Sequence, residues 1–81
     1  MLLSQLKTGE SGIIRELLNE QRLVVRLNAI GLTENAKVTL IRTAPFGDPL
    51  EIKVRDFYLA LRKEQADKII LEKLWIKLLR L

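Results

Sequence analysis

The chain has 81 residues, of which 48% are hydrophobic, and it contains neither cysteine nor histidine. A chain of this length is expected to form one domain over residues 1–81, and its hydrophobic content is too high for intrinsic disorder. Without cysteine and histidine, it lacks the residues that usually form disulfide bonds, soft-metal sites and histidine-based acid–base catalysts.

The net charge of +4 comes mostly from the C-terminal end of the chain. Residues 1–72 contain eleven Lys or Arg and ten Asp or Glu, whereas residues 73–81 contain Lys73, Lys77, Arg80 and no acid. A nucleic-acid-binding surface requires a basic stripe, usually with interleaved aromatic residues. The nearly neutral body therefore predicts that nucleic acid is not a partner.

No targeting or membrane-spanning segment is visible in the sequence. The longest apolar run is Phe57–Leu61, whereas a spanning helix requires about 20 apolar residues. Residues 1–7 lack the charged region and long apolar stretch of a signal peptide. We therefore expect a cytoplasmic protein that does not insert directly into a membrane.

The first half of the chain predicts one strand and one helix. Ile13–Leu18 begins with β-branched residues, as strands often do. Asn19 can cap a helix of about residues 20–30, because its side chain can accept from the free N–H groups of the first turn. Gly31 suits the left-handed position after that helix, and Leu32 can pack back onto the last turn. One helix face carries the apolar residues Leu23, Leu27 and Ile30.

The second half of the chain has the period of two that is typical of strands. Residues 36–41 and Leu50–Val54 alternate between apolar and polar side chains, which predicts strands with one buried face. Phe57–Leu61 follows so closely that we expect a tight hairpin. One helical turn at 64–66 and a strand at 68–71 complete the pattern. About five short strands with one inserted helix predict a small, mainly β barrel.

A corner with two prolines, residues 45–49, connects two of these strands. Pro45 and Pro49 fix φ, and Gly47 permits a backbone conformation that other residues resist. We expect the Asp48 carboxylate to accept from backbone N–H groups within the turn itself. Phe46 stands at the tip, where it either packs onto the domain or remains exposed as an interface anchor.

Four motifs together resemble the FeoA family. They are the leucines of segment 3–6, the predicted helix end at 26–32, the segment 44–52 and Leu59–Arg62. The likeness covers about residues 3–72. FeoA proteins are small cytosolic proteins of bacterial and archaeal ferrous iron uptake, and the resemblance implies their SH3-like β-barrel.

The resemblance also implies a non-enzymatic accessory protein that docks on FeoB, a membrane transporter with a cytosolic GTP-binding domain. The predicted helix and the corner are the expected contact surface, with the residues Arg22, Arg26, Pro45, Phe46, Gly47, Asp48 and Pro49. The barrel is similar as well to the SH3-like module of iron-dependent transcriptional repressors, so a role assisting such a repressor is the alternative. The chain has no helix-turn-helix of its own.

The residues themselves indicate neither catalysis nor metal binding. Asp48, Glu51 and Asp56 lie near one another in sequence, but no nucleophile, histidine or phosphate-binding loop accompanies them. Oxygen ligands are available without the nitrogen and sulfur ligands that select transition metals. We therefore predict no catalytic residue, no cofactor and no metal site.

Three features depart from the family pattern. Asn35 and Asp56 stand where the family usually has glycine, and both residue types tolerate positive φ, so we expect both turns to keep their geometry. The tail, residues 73–81, lies outside the pattern. An apolar stripe at helical spacing runs into it: Leu71, Leu74, Trp75, Leu78 and Leu79. This stripe predicts a helix packed on the barrel, or else a surface for weak self-association or for contact with a membrane surface.

Overall fold

The computed structural model describes residues 1–17 and 28–73. Within these ranges the chain forms five strands, a 3-10 helix and one short α-helix. The elements are the 3-10 helix Leu3–Gln5, β1 (Ser11–Leu17), β2 (Lys37–Thr43), β3 (Leu50–Val54), β4 (Phe57–Leu61), α1 (Lys63–Ala66) and β5 (Ile69–Lys73). The prediction of a mainly β protein is confirmed, and β3 and β4 have the predicted bounds, Leu50–Val54 and Phe57–Leu61.

All five strands form one antiparallel sheet in the order β4-β3-β2-β1-β5. The N-terminus extends the sheet beyond β5, because Leu2 bridges to Ile70 and the Leu71 N–H donates to the Met1 carbonyl oxygen at 2.6 Å. The predicted helix 20–30 lies mostly outside the described residues. Its last part is helical at Asn28 and Ala29.

The sheet encloses one hydrophobic core on its inner face. Every strand contributes to this cluster, and so do the 3-10 helix and α1. Its buried residues are Leu3, Leu6, Ile14, Leu32, Ala36, Val38, Leu40, Leu50, Ile52, Val54, Leu61, Ala66, Ile69 and Leu71. Among the described residues no polar or charged residue is buried. The two ends of the strand order, β4 and β5, share this core, so the sheet must curl around it.

Two β-bulges help the sheet to curl. The register between β2 and β3 shifts between Leu40 and Arg42, and the register between β1 and β5 shifts between Ile14 and Glu16. A bulge places one extra residue on one strand and increases the local twist. The β2 bulge lies three residues before the loop that contains the corner, so it also changes the direction in which the chain enters that loop.

The inward and outward faces of β3 are those predicted from its alternation. Leu50, Ile52 and Val54 are buried, whereas Lys53 is exposed and Glu51 is half-buried. A shift of one residue would bury the charged side chains and expose the apolar ones. The cost of burying unpaired charge therefore defines the register of β3 against its neighbours.

Five described residues have positive φ: Gly9, Gly31, Asn35, Gly47 and Arg55, and one of these positions differs from the prediction. Gly31 has φ +93° and Asn35 has φ 73°, as expected for the residue after a helix and for an asparagine that replaces glycine. At the β3–β4 hairpin, Arg55 has φ 53°, so the expectation for Asp56 is wrong. Because Val54 pairs with Phe57, the turn has only two central residues, and the first of them adopts the left-handed conformation.

Two carboxylates connect segments that are far apart in the sequence. The Ser4 hydroxyl donates to Asp67 Oδ1, and this hydrogen bond, with help from the Lys63 ammonium, holds the pKa of the Asp67 carboxyl below its usual value. The Lys73 ammonium bonds to Glu10, and together with the Lys7 backbone N–H it lowers the pKa of the Glu10 carboxyl. Both groups therefore hold fewer protons in the folded than in the unfolded chain.

The register of β3 is tested by comparing two neighbouring positions. Ile52→Ala should lower the free energy of unfolding by about 2–5 kcal/mol, because it removes buried carbon and leaves a cavity. Lys53→Ala is the matched control and should change it by less than about 1 kcal/mol, since Lys53 only lies over the Tyr58 ring. Urea unfolding measures both values, and equal losses would contradict the register.

The lowered carboxyl pKa values predict acid sensitivity. Above the pKa that these carboxyls have in the unfolded chain, both are ionised and stabilise the fold. This stabilisation is lost as the pH falls through their lower pKa in the folded chain. The free energy of unfolding should therefore decrease below about pH 4.3. Ser4→Ala removes a donor to Asp67 and should make this decrease smaller. Ser11→Ala is the control, because the Ser11 hydroxyl bonds to Thr39 and not to an acid. Urea unfolding across pH 3–7 measures how the free energy of unfolding depends on pH. If Ser4→Ala and Ser11→Ala both kept the pH dependence of the parent protein, the role of the Ser4–Asp67 bond would be contradicted.

Candidate functional site

The corner lies in the loop that joins β2 to β3. Thr43 pairs with Leu50, so residues 44–49 form the connection. The Ala44 N–H donates to the Pro49 carbonyl oxygen at 3.0 Å, and the Gly47 N–H donates to the Ala44 carbonyl oxygen at 2.7 Å. The second bond closes a four-residue turn with Pro45 and Phe46 at its centre. Backbone hydrogen bonds therefore hold both the base and the tip of the loop.

Glycine is required at residue 47 by the backbone and not by lack of space. Gly47 has φ +85°, a backbone conformation that residues with a Cβ atom rarely adopt. A Cβ built at this position would have no atom within 4 Å. The peptide bond that follows, between Asp48 and Pro49, is cis. The turn geometry thus agrees with the role predicted for Gly47.

Asp48 holds the corner to another part of the domain, and the prediction that it bonds within its own turn is wrong. Its Oδ1 accepts from the Lys63 backbone N–H at 3.0 Å, and its Oδ2 lies 3.9 Å from Arg62 Nε. The first N–H groups of a helix lack partners within the helix, and a carboxylate near that end is favourable. The N-cap residue of α1 is Arg62, which makes no side-chain cap bond. An arginine at the N-cap position is the sequence signal that could have indicated that a side chain from another segment accepts from the first N–H groups of α1.

Phe46 is almost completely accessible to solvent. Its side chain is 98% exposed, compared with 59% for Tyr58 and 38% for Phe57. Of the two alternatives at the loop tip, the exposed one is therefore observed. An aromatic ring held in water by a hydrogen-bonded turn loses little conformational freedom when a partner covers it.

A shallow groove of about 370 Å³ lies beside the corner, and the sequence did not reveal it. Its walls come from the ends of β2 and β3, from the base of the loop and from β4. The lining residues are Arg42, Thr43, Ala44, Pro45, Pro49, Glu51 and Ala60. Arg42 Nη2 bonds to Glu51 Oε2 at 3.2 Å, so the two charges that line the groove neutralise each other. The β2 bulge places these two residues opposite each other, and no periodicity in the sequence predicts that bulge.

The structure brings five of the seven predicted contact residues together. Pro45, Phe46, Gly47, Asp48 and Pro49 belong to one loop. The other two, Arg22 and Arg26, lie outside the described residues, and so does the tail beyond Lys73. Their roles remain predictions.

The three acids that lie close in sequence do not form a cluster. Asp48 bonds toward α1, Glu51 pairs with Arg42 on the outer face, and Asp56 lies in the hairpin turn at the far end of β3. In residues 1–17 and 28–73 no group of three or more Asp, Glu, His or Cys side chains could hold a metal ion. Over the same ranges, the chain forms no helix long and apolar enough to span a bilayer.

Sequence comparison identifies the family. A family model described as the FeoA domain matches residues 1–73. A fusion protein of Fe(2+) transport protein A and the Fe(2+) transporter FeoB, from Porphyromonas gingivalis, is 31% identical over 72 residues. The match covers 89% of this chain and 8% of the fusion protein, so the chain spans only a small part of that relative.

Solved structures have the same fold. The solution structure of the FeoA protein from Chlorobium tepidum has a TM-score of 0.87 at 33% identity, over 93% of this chain and 71% of that one. FeoA from Stenotrophomonas maltophilia, complexed with zinc and described as a prokaryotic SH3 domain protein, has a TM-score of 0.72 at 25% identity, over 89% of both chains. The predicted SH3-like architecture is therefore confirmed.

A repressor also shares the architecture. A manganese-dependent transcriptional repressor in complex with manganese has a TM-score of 0.85 over 91% of this chain and 36% of its own. Its identity of 13% shows the fold alone. The match of the FeoA model over residues 1–73 extends across nearly the whole chain. This chain belongs to the FeoA family.

Proposed function

We propose that this chain is an accessory protein of ferrous iron uptake that acts as one domain by docking on the cytosolic part of a FeoB-type transporter. The observation that carries the proposal is the exposure of Phe46, at 98%, on a hydrogen-bonded turn. The Porphyromonas gingivalis relative supports the choice of partner, since it joins the two proteins in one chain. A covalent link of this kind raises the effective concentration of two domains that bind each other.

The arrangement of the corner suits docking because it separates support from contact. Asp48 anchors the loop to α1, and the bonds of Ala44 and Gly47 hold the turn. Phe46 makes no contribution to the core, so its ring is available to fill a pocket on the partner. The adjoining groove can accept an apolar side chain of the partner beside the ring. Buried aromatic anchors of this kind contribute much of the binding energy at interfaces.

The role is non-enzymatic and cytoplasmic in this proposal. Two observations support this part of the proposal: Asp48, Glu51 and Asp56 do not form a cluster, and histidine and cysteine are absent from the sequence. The chain would act on transport or nucleotide turnover only through the partner. The alternative role with a transcriptional repressor has the support of the fold alone.

Phe46→Ala is expected to weaken binding to the cytosolic domain of the transporter by at least about 2 kcal/mol, or about 30-fold in Kd. The melting temperature should not change, because the ring is exposed. Tyr58→Ala is the matched control, since it removes another exposed aromatic ring from a different end of the sheet. Calorimetry with purified domains measures the binding. An unchanged Kd for Phe46→Ala, or an equal loss for Tyr58→Ala, would contradict the proposed contact.

Gly47→Ala should lower both stability and binding. The added Cβ meets no neighbour, but φ +85° costs a residue other than glycine about 1–2 kcal/mol. The turn would then relax and move Phe46. Thermal melting and the same calorimetric titration test this coupling. A variant that loses stability but binds as tightly as the parent would show that the position of Phe46 does not matter.

The isolated chain is expected to bind no guanine nucleotide and to hydrolyse none. Its sequence has no glycine-rich phosphate-binding loop. Titration of the purified protein with GTP in a calorimeter, together with a phosphate-release assay, tests this expectation. Saturable heat, or release of phosphate by the chain alone, would overturn the non-enzymatic role.

A further inference from the structure

In residues 1–17 and 28–73, at least five of the ten Lys and Arg side chains are paired with carboxylates. These ion pairs are Arg15 with Glu72, Arg42 with Glu51, Arg62 with Asp48, Lys63 with Asp67, and Lys73 with Glu10. Lys37, Lys53 and Arg55 take part in none of these pairs. These three residues, here called the basic patch, line one depression of about 160 Å³ on the outer face of β2 and β3, together with Thr39.

The strand register brings the three cations of the basic patch together. Thr39 pairs with Lys53 and Val38 with Val54, so Lys37 and Arg55 are neighbours where the two strands meet at the hairpin end. Like charges at adjacent cross-strand positions are destabilising. Glu51 on β3 is bonded to Arg42, which leaves Asp56 as the acid of the hairpin turn beside Arg55. Three cations against this one carboxylate give the hairpin end a local excess of positive charge.

Arg55 belongs to the basic patch although its backbone conformation is unfavourable. Its φ of 53° lies in the left-handed region, which glycine adopts without steric cost and which disfavours arginine. Arg55 is exposed and does not belong to the core cluster. The backbone alone would favour glycine here, so the arginine adds a cation to the patch at some steric cost.

We propose that the basic patch binds the anionic surface of a lipid bilayer as a peripheral contact. Lys37, Lys53 and Arg55 are all exposed, and no buried polar group points into the depression, so the patch lacks the enclosed donors that a small free anion requires. Exposed cations instead act together on a surface with many phosphate groups. Tyr58 pairs with Lys53 on β4 and is 59% exposed, and tyrosine is enriched at membrane–water interfaces.

This contact would complement the proposed docking on a membrane transporter. It rests on that proposed function in one respect only, namely that docking would bring the chain close to a bilayer. The corner and the basic patch lie at opposite ends of β2 and β3. A membrane contact at one end would leave Phe46 free to meet the transporter at the other. Because weak binding to the bilayer limits diffusion to the membrane surface, it raises the effective concentration of the chain near its partner.

The test uses the full chain and vesicles without any transporter, so that its outcome does not depend on the proposed docking. Vesicles contain phosphatidylcholine alone or phosphatidylcholine with phosphatidylglycerol, and binding is measured by co-sedimentation at low salt. We expect binding to the anionic vesicles only. Each basic residue near such a surface contributes about 1 kcal/mol, or about fivefold in the partition coefficient. The triple variant Lys37→Gln/Lys53→Gln/Arg55→Gln should therefore bind on the order of 100-fold more weakly.

A second triple variant controls for net charge. Lys7→Gln/Lys63→Gln/Lys68→Gln removes the same number of charges from positions outside β2 and β3 and should retain most of the binding. Equal losses in the two triple variants would overturn the proposal, because net charge alone would then explain the attraction. Absence of binding to anionic vesicles would overturn it directly. Retained binding of the patch variant to anionic vesicles would overturn it as well.

Arg55→Gly separates the fold from the lipid contact. It should melt at the same or a higher temperature, because glycine suits φ 53°, and it should bind anionic vesicles about fivefold more weakly. Inorganic phosphate serves as the small-anion probe. Saturable chemical-shift changes at the patch with inorganic phosphate, in the absence of vesicles, would assign the patch to a free anion and overturn the membrane contact.

Discussion

A chain of 81 residues can bury only one face of its sheet, and the rest of the structure follows from this constraint. The inner face is apolar throughout, so every charged side chain of the described strands must point outward. In the part of the chain that the structure describes, no buried ion pair or polar network defines the register. The register is defined instead by the free-energy cost of exposing apolar residues and burying charged ones. In β3, for example, Ile52 is buried and Lys53 is exposed.

The same constraint separates the stability of the domain from its recognition surfaces. Because the core occupies the inner face, Phe46 and the groove beside it lie where substitutions scarcely affect packing. The loop keeps its shape through a few polar contacts, of which the bond from the Lys63 N–H to the Asp48 carboxylate spans fifteen residues. Because the core is small, this arrangement has a consequence for stability: contact residues can be substituted without loss of the fold.

Charge on the outer face is distributed unevenly, although the total is almost balanced. Ion pairs neutralise Arg15, Arg42, Arg62 and Lys63 near their own positions. The hairpin end of β2 and β3 instead carries Lys37, Lys53 and Arg55 around one depression. Interactions between exposed charges are screened within about 10 Å at 0.1 M salt, so this local excess matters more to a nearby surface than the overall charge of the chain.

Much of the fold could be predicted from the sequence because it depends on local patterns. Alternation identified β3 and a short apolar run identified β4, both with their boundaries, and the positive φ of Gly31 and Asn35 followed from residue type. The family motifs at 26–32, 44–52 and Leu59–Arg62, together with the leucines of segment 3–6, indicated the architecture. What only the tertiary structure decided depends on contacts between distant residues. These are the bond of Asp48 to α1, the exposure of Phe46, the β2 bulge that forms the groove, and the cross-strand register that assembles the basic patch. No local pattern encodes such contacts, because each arises only when the curled sheet brings separate segments side by side.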